Sequence, residues 1–168
     1  LDLLRRIVPA YRAAASRGQV ELSCSPYFHP ILPLLCDSAA HHDAHPGAPL
    51  PEPSFVWPAD ADSQIERAVH AHTAWFGQPP RGVWPSEGSV SPAAAAAIVR
   101  AGFGWMASDE DILRRSRALA GLDTPAVLKF RAHAFETPHG QVRTVFRDHG
   151  LSDAIGFVYQ SWPTEAAV

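Results

Sequence analysis

One carboxylate in this chain stands out for where it sits. In Gly82-Val83-Trp84-Pro85-Ser86-Glu87-Gly88-Ser89-Val90-Ser91, a short apolar run stops at Pro85 and Glu87 follows between small residues. An alanine run, Ala93 to Ala97, begins behind Pro92. The pattern predicts a strand, a tight turn carrying the acid, and a helix start. In parallel βα architectures the strand C-termini open onto the working cleft. Other acids sit in a similar position at Asp148 and Asp153, after the strand-like Val142–Phe146. Two carboxylates on separate strand ends are what glycoside hydrolysis requires. The plain alternatives are a helix-terminal glutamate at Glu87, and helix caps or Arg147 partners at Asp148 and Asp153. Trp84 beside Glu87 favours the chemical reading, because an aromatic face stacks on sugar rings and can desolvate a carboxyl.

Further candidates carry less. Asp109, Glu110 and Asp111 close a predicted strand and read as a helix N-cap with first-turn acids. Their functional alternative is contact with substrate hydroxyls. His41, His42, Asp43 and His45 invite a metal, but Pro46, Gly47 and Pro49 argue against a helix there. No second motif supplies the missing ligands, so a solvated loop is expected. No phosphate-cradling glycine loop and no Ser-centred elbow is present.

The elements that must position these residues follow from periodicity. Helices are expected over Leu3–Ser16, from Asp60 or Asp62 to Phe76, over Pro92–Ala101 and over Ile112–Leu119. Strands are expected at Val20–Cys24, Gly82–Trp84, Phe103–Ala107, Val127–Phe130 and Val142–Phe146. Ile155–Tyr159 opens a further apolar element. Three prolines in Ser25–Leu35 make that stretch an ordered loop, packed through Tyr27, Phe28, Ile31, Leu32, Leu34 and Leu35. Asp37–Pro58 reads as a long surface loop. Alternating strands and helices imply an α/β fold of parallel βα units.

The 168 residues are 46% hydrophobic and 18% charged, the composition of one globular domain. A net charge of −3 argues against nucleic acid or an anionic membrane as the main partner. Two cysteines, Cys24 and Cys36, lie in apolar runs and read as buried free thiols, which points to a reducing, cytoplasmic setting. The chain opens on Leu1 inside a helical pattern, so further segments are expected on both sides.

Three stretches resemble glycoside hydrolase family 57, in its amylopullulanase and α-amylase branch. They are Gly18–Glu21 with Ser25–Leu35, Trp84–Ser91, and Phe146–Phe157. The resemblance implies an incomplete (β/α)7 barrel and retaining chemistry on α-glucans, without metal or organic cofactor. It implies Glu87 as nucleophile and Asp153 as general acid/base. Asp153 is preferred to Asp148 because Phe157 follows it by four residues, as an aromatic follows the family's acid. Glu21 and His29 would line the donor-sugar pocket, with Trp84 stacking nearby. The family's opening His-Gln-Pro strand and its last barrel region have no counterpart in residues 1–168. The chain is therefore expected to be an inactive piece of the catalytic domain, with Val20, Leu22, Val83 and Phe103 left unburied. A 4-α-glucanotransferase, a metal-dependent polysaccharide deacetylase using His41 and His45, and a non-catalytic glucan-binding relative are the alternatives.

Overall fold

The computed structural model describes residues 1–123 and 125–167. The chain begins with α1 (Asp2–Ser16), followed by the short α2 (Leu32–Cys36) and the single-turn α3 (His41–Ala44). Next come α4 (Pro58–Phe76), β1 (Gly82–Val83) and α5 (Pro92–Arg100). Then follow β2 (Trp105–Asp109), α6 (Glu110–Leu119), β3 (His133–Thr137) and β4 (Gly140–Arg147). The chain closes on α7 (His149–Asp153) and α8 (Thr164–Ala167). Among the described residues no helix is long and apolar enough to cross a membrane.

The strands form one sheet in the order β1-β2-β4-β3. β1, β2 and β4 run parallel, and β3 is antiparallel to β4. The register pairs Trp105 with Arg143 and Asp109 with Arg147. Because side chains alternate along a strand, β2 turns Met106 and Ser108 to one face and Trp105, Ala107 and Asp109 to the other. The first face is the core. Met106 and Val142 pack with Val83, Leu32, Ile65 and Ile98 beneath α2, α4 and α5. Leu32 and Ile98 are 0% exposed, and burying each such side chain stabilises by roughly 1.5–3 kcal/mol. Ala94 to Ala97 are all buried. Their small side chains let α5 lie close against the sheet. Ser91 caps α5, its hydroxyl accepting from the Ala94 N–H, and Pro92 occupies its first turn.

Several expectations need correcting. Val20–Cys24 forms no strand beyond a single parallel bridge from Cys24 to Val83, since a two-residue β1 offers little to pair with. Val83 and Phe103 are core residues, 1% and 4% exposed, while Val20 lies open. Val127–Phe130 lies in a 3₁₀ segment, Ala126–Phe130, started by Pro125. β2 begins two residues later than expected, which places Asp109 inside the strand. β3 makes the sheet mixed rather than wholly parallel.

The polar stretch expected as a loop contains α3, one turn that ends before Pro46. Neither Asp60 nor Asp62 caps α4, whose N-cap is Trp57 with Pro58 at its first position. Gly77 stops it in the left-handed conformation. Tyr27 and Phe28 are exposed rather than packed, and the Arg67 guanidinium lies over their rings at 4.6 and 4.9 Å. Cys24 and Cys36 are free thiols. Burial pushes Cys24 up to about 11.

Candidate active site

Three parallel strands end on the same side of the sheet, and the acids gather there. β1 leads through Trp84 and Pro85 into a tight turn. Glu87 occupies its centre with φ 56° and ψ 21°, a left-handed backbone that glutamate rarely adopts. Gly88 follows, also with positive φ, where a Cβ would come 3.3 Å from the Trp84 ring and 3.6 Å from Ser108 Cα. The turn therefore rests on the end of β2. Ser108, 0% exposed, fastens it by donating its hydroxyl to the Gly88 carbonyl at 2.6 Å.

The Glu87 side chain is 72% exposed, and its Oε1 lies 2.9 Å from His29 Nε2. Donation of the Nε2–H leaves Oε2 free. His29 is itself left-handed, φ 56°, at the end of a turn closed by its N–H to Pro26 O. His29 and the turn glutamate, far apart in sequence, are in direct contact.

Asp109 ends β2 and starts α6. Its Oδ1 accepts from the Asp111 N–H at 2.9 Å, the expected N-cap. Its Oδ2 accepts from Arg147 Nε at 2.7 Å, across the β2–β4 register, and from His149 Nδ1 at 3.0 Å. Burial alone would raise its pKa. The Asp111 N–H, Arg147 and His149 outweigh that and hold it below the usual carboxylate value. Glu110 accepts from the His149 backbone N–H at 2.8 Å and pairs with Lys129 at 2.7 Å.

Both plain readings of Phe146–Phe157 hold. Asp148 caps α7, accepting from the Leu151 N–H at 2.9 Å, and pairs with Lys129 at 2.5 Å. Asp153 pairs with Arg147, Oδ1 accepting from Nη1 at 3.2 Å, and lies 3.1 Å from His149 Nε2 through Oδ2. Both oxygens of each acid are engaged, those of Asp148 by α7 and Lys129 and those of Asp153 by Arg147 and His149, and Asp153 is the more exposed of the two. Its side chain is 38% exposed against 22%.

Glu21 accepts from Trp105 Nε1 at 2.6 Å, which puts it on the same sheet face as Asp109. Trp84 is half-buried against Gly88. The rings of His41, on α3, and His45, just after it, lie 5.1 Å apart at a tilt of 36° and do not join the acids. Asp109, Asp111 and His149 bring one potential ligand atom each within 4.8 Å. The guanidinium groups of Arg147 and Arg114, the latter 3.1 Å from Asp111, already supply positive charge to those carboxylates.

Open cavities of about 410 and 510 Å³ lie elsewhere, around Tyr27, Arg67 and His70 and around Cys24, Phe28 and Trp75. Neither is lined by Glu87 or Asp153. Sequence reasoning named Arg147 only as a possible partner and missed His149 and Lys129. The one available signal was their charge next to, or in register with, the acids.

Residues 2–168 match the family described as Glycosyl hydrolase family 57. The chain belongs to that family. Three solved structures share its fold. The first is an α-amylase, AmyC, from Thermotoga maritima, at 18% identity and TM-score 0.57, covering 89% of this chain and 24% of the other. The second is a 4-α-glucanotransferase from Thermococcus litoralis, at 18% identity and TM-score 0.62, covering 89% and 19%. The third is a GH57-type branching enzyme from the hyperthermophilic archaeon Pyrococcus horikoshii, at 16% identity and TM-score 0.58, covering 94% and 26%. The chain thus spans about a quarter or less of each of these proteins. No curated protein sequence matches it significantly.

Proposed function

We propose that this chain carries the catalytic carboxylates of a retaining enzyme acting on α-glucans, within part of a (β/α)7 barrel. One observation carries the reading: Glu87 and Asp153 follow β1 and β4, the two strands flanking β2, and each is tied to the end of β2. Glu87 is tied through Ser108 and Gly88, and Asp153 through Arg147 and Asp109. Helices cover one sheet face, while Trp105, Ala107, Asp109 and Arg147 line the other, the arrangement a barrel interior needs.

Glu87 Oε2 attacks the anomeric carbon while His29 holds Oε1. Asp153 gives its proton to the departing glycosidic oxygen. It then takes a proton from water as the glycosyl ester is hydrolysed. Replacing that water by a sugar hydroxyl gives transfer in place of hydrolysis. The glucanotransferase and branching enzyme among the structural neighbours favour keeping transfer as the second reading. Glu21, Trp84, Asp109 and Glu110 are proposed to border the bound sugar. The expected partner is a neutral glucan, and no nucleic acid or membrane partner is proposed.

The test uses the full-length protein with maltooligosaccharide. Glu87→Gln should lower kcat by at least ~10⁴-fold, with partial return in azide. Proton NMR should show the first-formed product with retained configuration. A Glu87→Gln variant above a tenth of normal activity, or an inverted product, would overturn the assignment.

A further inference from the structure

His149 has no part in a two-carboxylate mechanism as usually drawn, yet its ring lies between two carboxylates. Nδ1 is 3.0 Å from Asp109 Oδ2, and Nε2 is 3.1 Å from Asp153 Oδ2. Its backbone is fixed as well, by the N–H donated to Glu110 Oε1.

The two carboxylates differ. Asp109, only 14% exposed, already accepts from the Asp111 N–H and from Arg147 Nε. With those donors it is ionised, and its contact with Nδ1 requires a hydrogen on Nδ1. A neutral imidazole has only one N–H. Once that hydrogen faces Asp109, Nε2 is a bare acceptor. The contact with Asp153 then needs one proton between the partners, either on Nε2 or on Asp153 Oδ2.

Resting on the reading of Asp153 as acid/base, we propose that His149 is its positioning residue. The ring is anchored to Asp109 through Nδ1, holds the Asp153 carboxyl in one orientation through Nε2, and shares with it the proton used in catalysis. In the first step that proton passes from Asp153 to the glycosidic oxygen, which keeps the electron pair of the breaking bond. A Glu87 oxygen meanwhile bonds to the anomeric carbon. In the second step water, or a sugar hydroxyl, returns a proton to the Asp153–His149 pair as its oxygen displaces Glu87.

The other charged groups around the pair are fixed. Arg147 faces Asp153 Oδ1 at 3.2 Å and His149 Nδ1 at 3.4 Å. Asp111 comes within 4.8 Å of His149. Glu110 and Asp148 are both paired with Lys129.

Two substitutions in the full-length protein separate the anchor from the proton. In His149→Asn the side-chain amide replaces Nδ1 and keeps Asp109, but cannot reach Asp153. In His149→Gln the amide replaces Nε2 and reaches Asp153, but holds no titrating proton. Asn should lower kcat/KM on maltooligosaccharide by ~10²-fold and on α-glucosyl fluoride by less than about 3-fold, since fluoride leaves without a general acid. Gln should stay within about 10-fold on both substrates, yet move the alkaline limb of the kcat/KM profile.

Equal losses on both substrates in the Asn variant would mean a merely structural role and overturn the proposal. So would a Gln variant with the wild-type pH profile. An Asp153→Asn variant that loses both substrates equally, or not at all, overturns instead the acid/base reading beneath it.

Discussion

Two serines beside the proposed nucleophile invite the same substitution with opposite outcomes. Ser86 and Ser108 are both 0% exposed. Ser108 Oγ donates to the Gly88 carbonyl at 2.6 Å, whereas Ser86 Oγ has no partner among the described residues. In Ser108→Ala the buried Gly88 carbonyl loses its donor, which costs about 1–3 kcal/mol. The turn also loses its fastening to β2. In Ser86→Ala a desolvated, unpaired hydroxyl disappears. The result should be neutral or stabilising by about 1 kcal/mol. The two variants should therefore differ by about 2 kcal/mol, close to 30-fold in the folded-to-unfolded ratio. Urea denaturation of both reads this directly. Activity should divide the same way. A Glu87 turn released by ~1 Å loses ~10²-fold in kcat, while the Ser86 variant keeps its rate. Equal stability of the two variants within ~0.5 kcal/mol, or an unchanged kcat in Ser108→Ala, would refute the view that this one hydrogen bond holds the turn.

Gly82→Ala places a Cβ 1.9 Å from Trp105 Cε2, so the indole must swing and abandon Glu21. A loss of about 2–3 kcal/mol is expected, with altered tryptophan fluorescence, and a crystal structure with Trp105 unmoved would disprove it. The Asp109–His149 pair also predicts a pH window for stability. The hydrogen bond to Asp109, and then the charges of Asp153 and Asp109, raise His149 above its ordinary 6.5. Its contribution is therefore complete below that value and disappears as pH climbs through the raised one. Asp109 lies below its ordinary 3.8, so its contribution holds above that value and is lost on further acidification. Urea midpoints should peak between these limits and fall on the alkaline side in wild type but not in His149→Gln. A midpoint flat from pH 6 to 9 in wild type would count against the pair.

The sequence revealed most where local signals and the fold agree. Pro92, Ser91 and the alanine run announce α5. Gly77 ends α4, and the apolar run Val142–Phe146 becomes β4. It misled where a partner decides the conformation. His133–Thr137 has little β-propensity and lies mostly exposed, but folds as β3 because β4 continues from it through a tight hairpin. Val127–Phe130 looks like a strand yet coils. Lys129 there anchors to Glu110 and Asp148, and nothing local predicts that anchor. In the site, Glu87, Asp109 and Asp153 could be picked out individually, because each follows an apolar run. Their connections could not. Arg147 meets Asp109 only through the β2–β4 register, and His149 reaches it from the first residue of α7, just past the end of β4.

The two proposed catalytic carboxylates are held in contrasting ways, and the contrast matches their tasks. Glu87 sits in a left-handed backbone that costs about 1–2 kcal/mol for a residue with a Cβ. Among the described residues its carboxylate is paired with His29 alone and is otherwise exposed. A nucleophile needs that freedom, because one oxygen must advance to the anomeric carbon and later withdraw. The strain must be offset by neighbours. Buried Pro85, Ser86 and Gly88 and the Ser108 bond flank it on both sides. Asp153 instead is gripped through both oxygens, by Arg147 and His149, which are in turn fixed to Asp109. An acid/base must return a proton to the same place it delivered one, so orientation matters more than reach. Asp109 is thereby the pivot of the arrangement. It stands at the end of the central strand, touches the capped helix, the neighbouring strand and His149, and is the most buried carboxylate among the site's ion pairs.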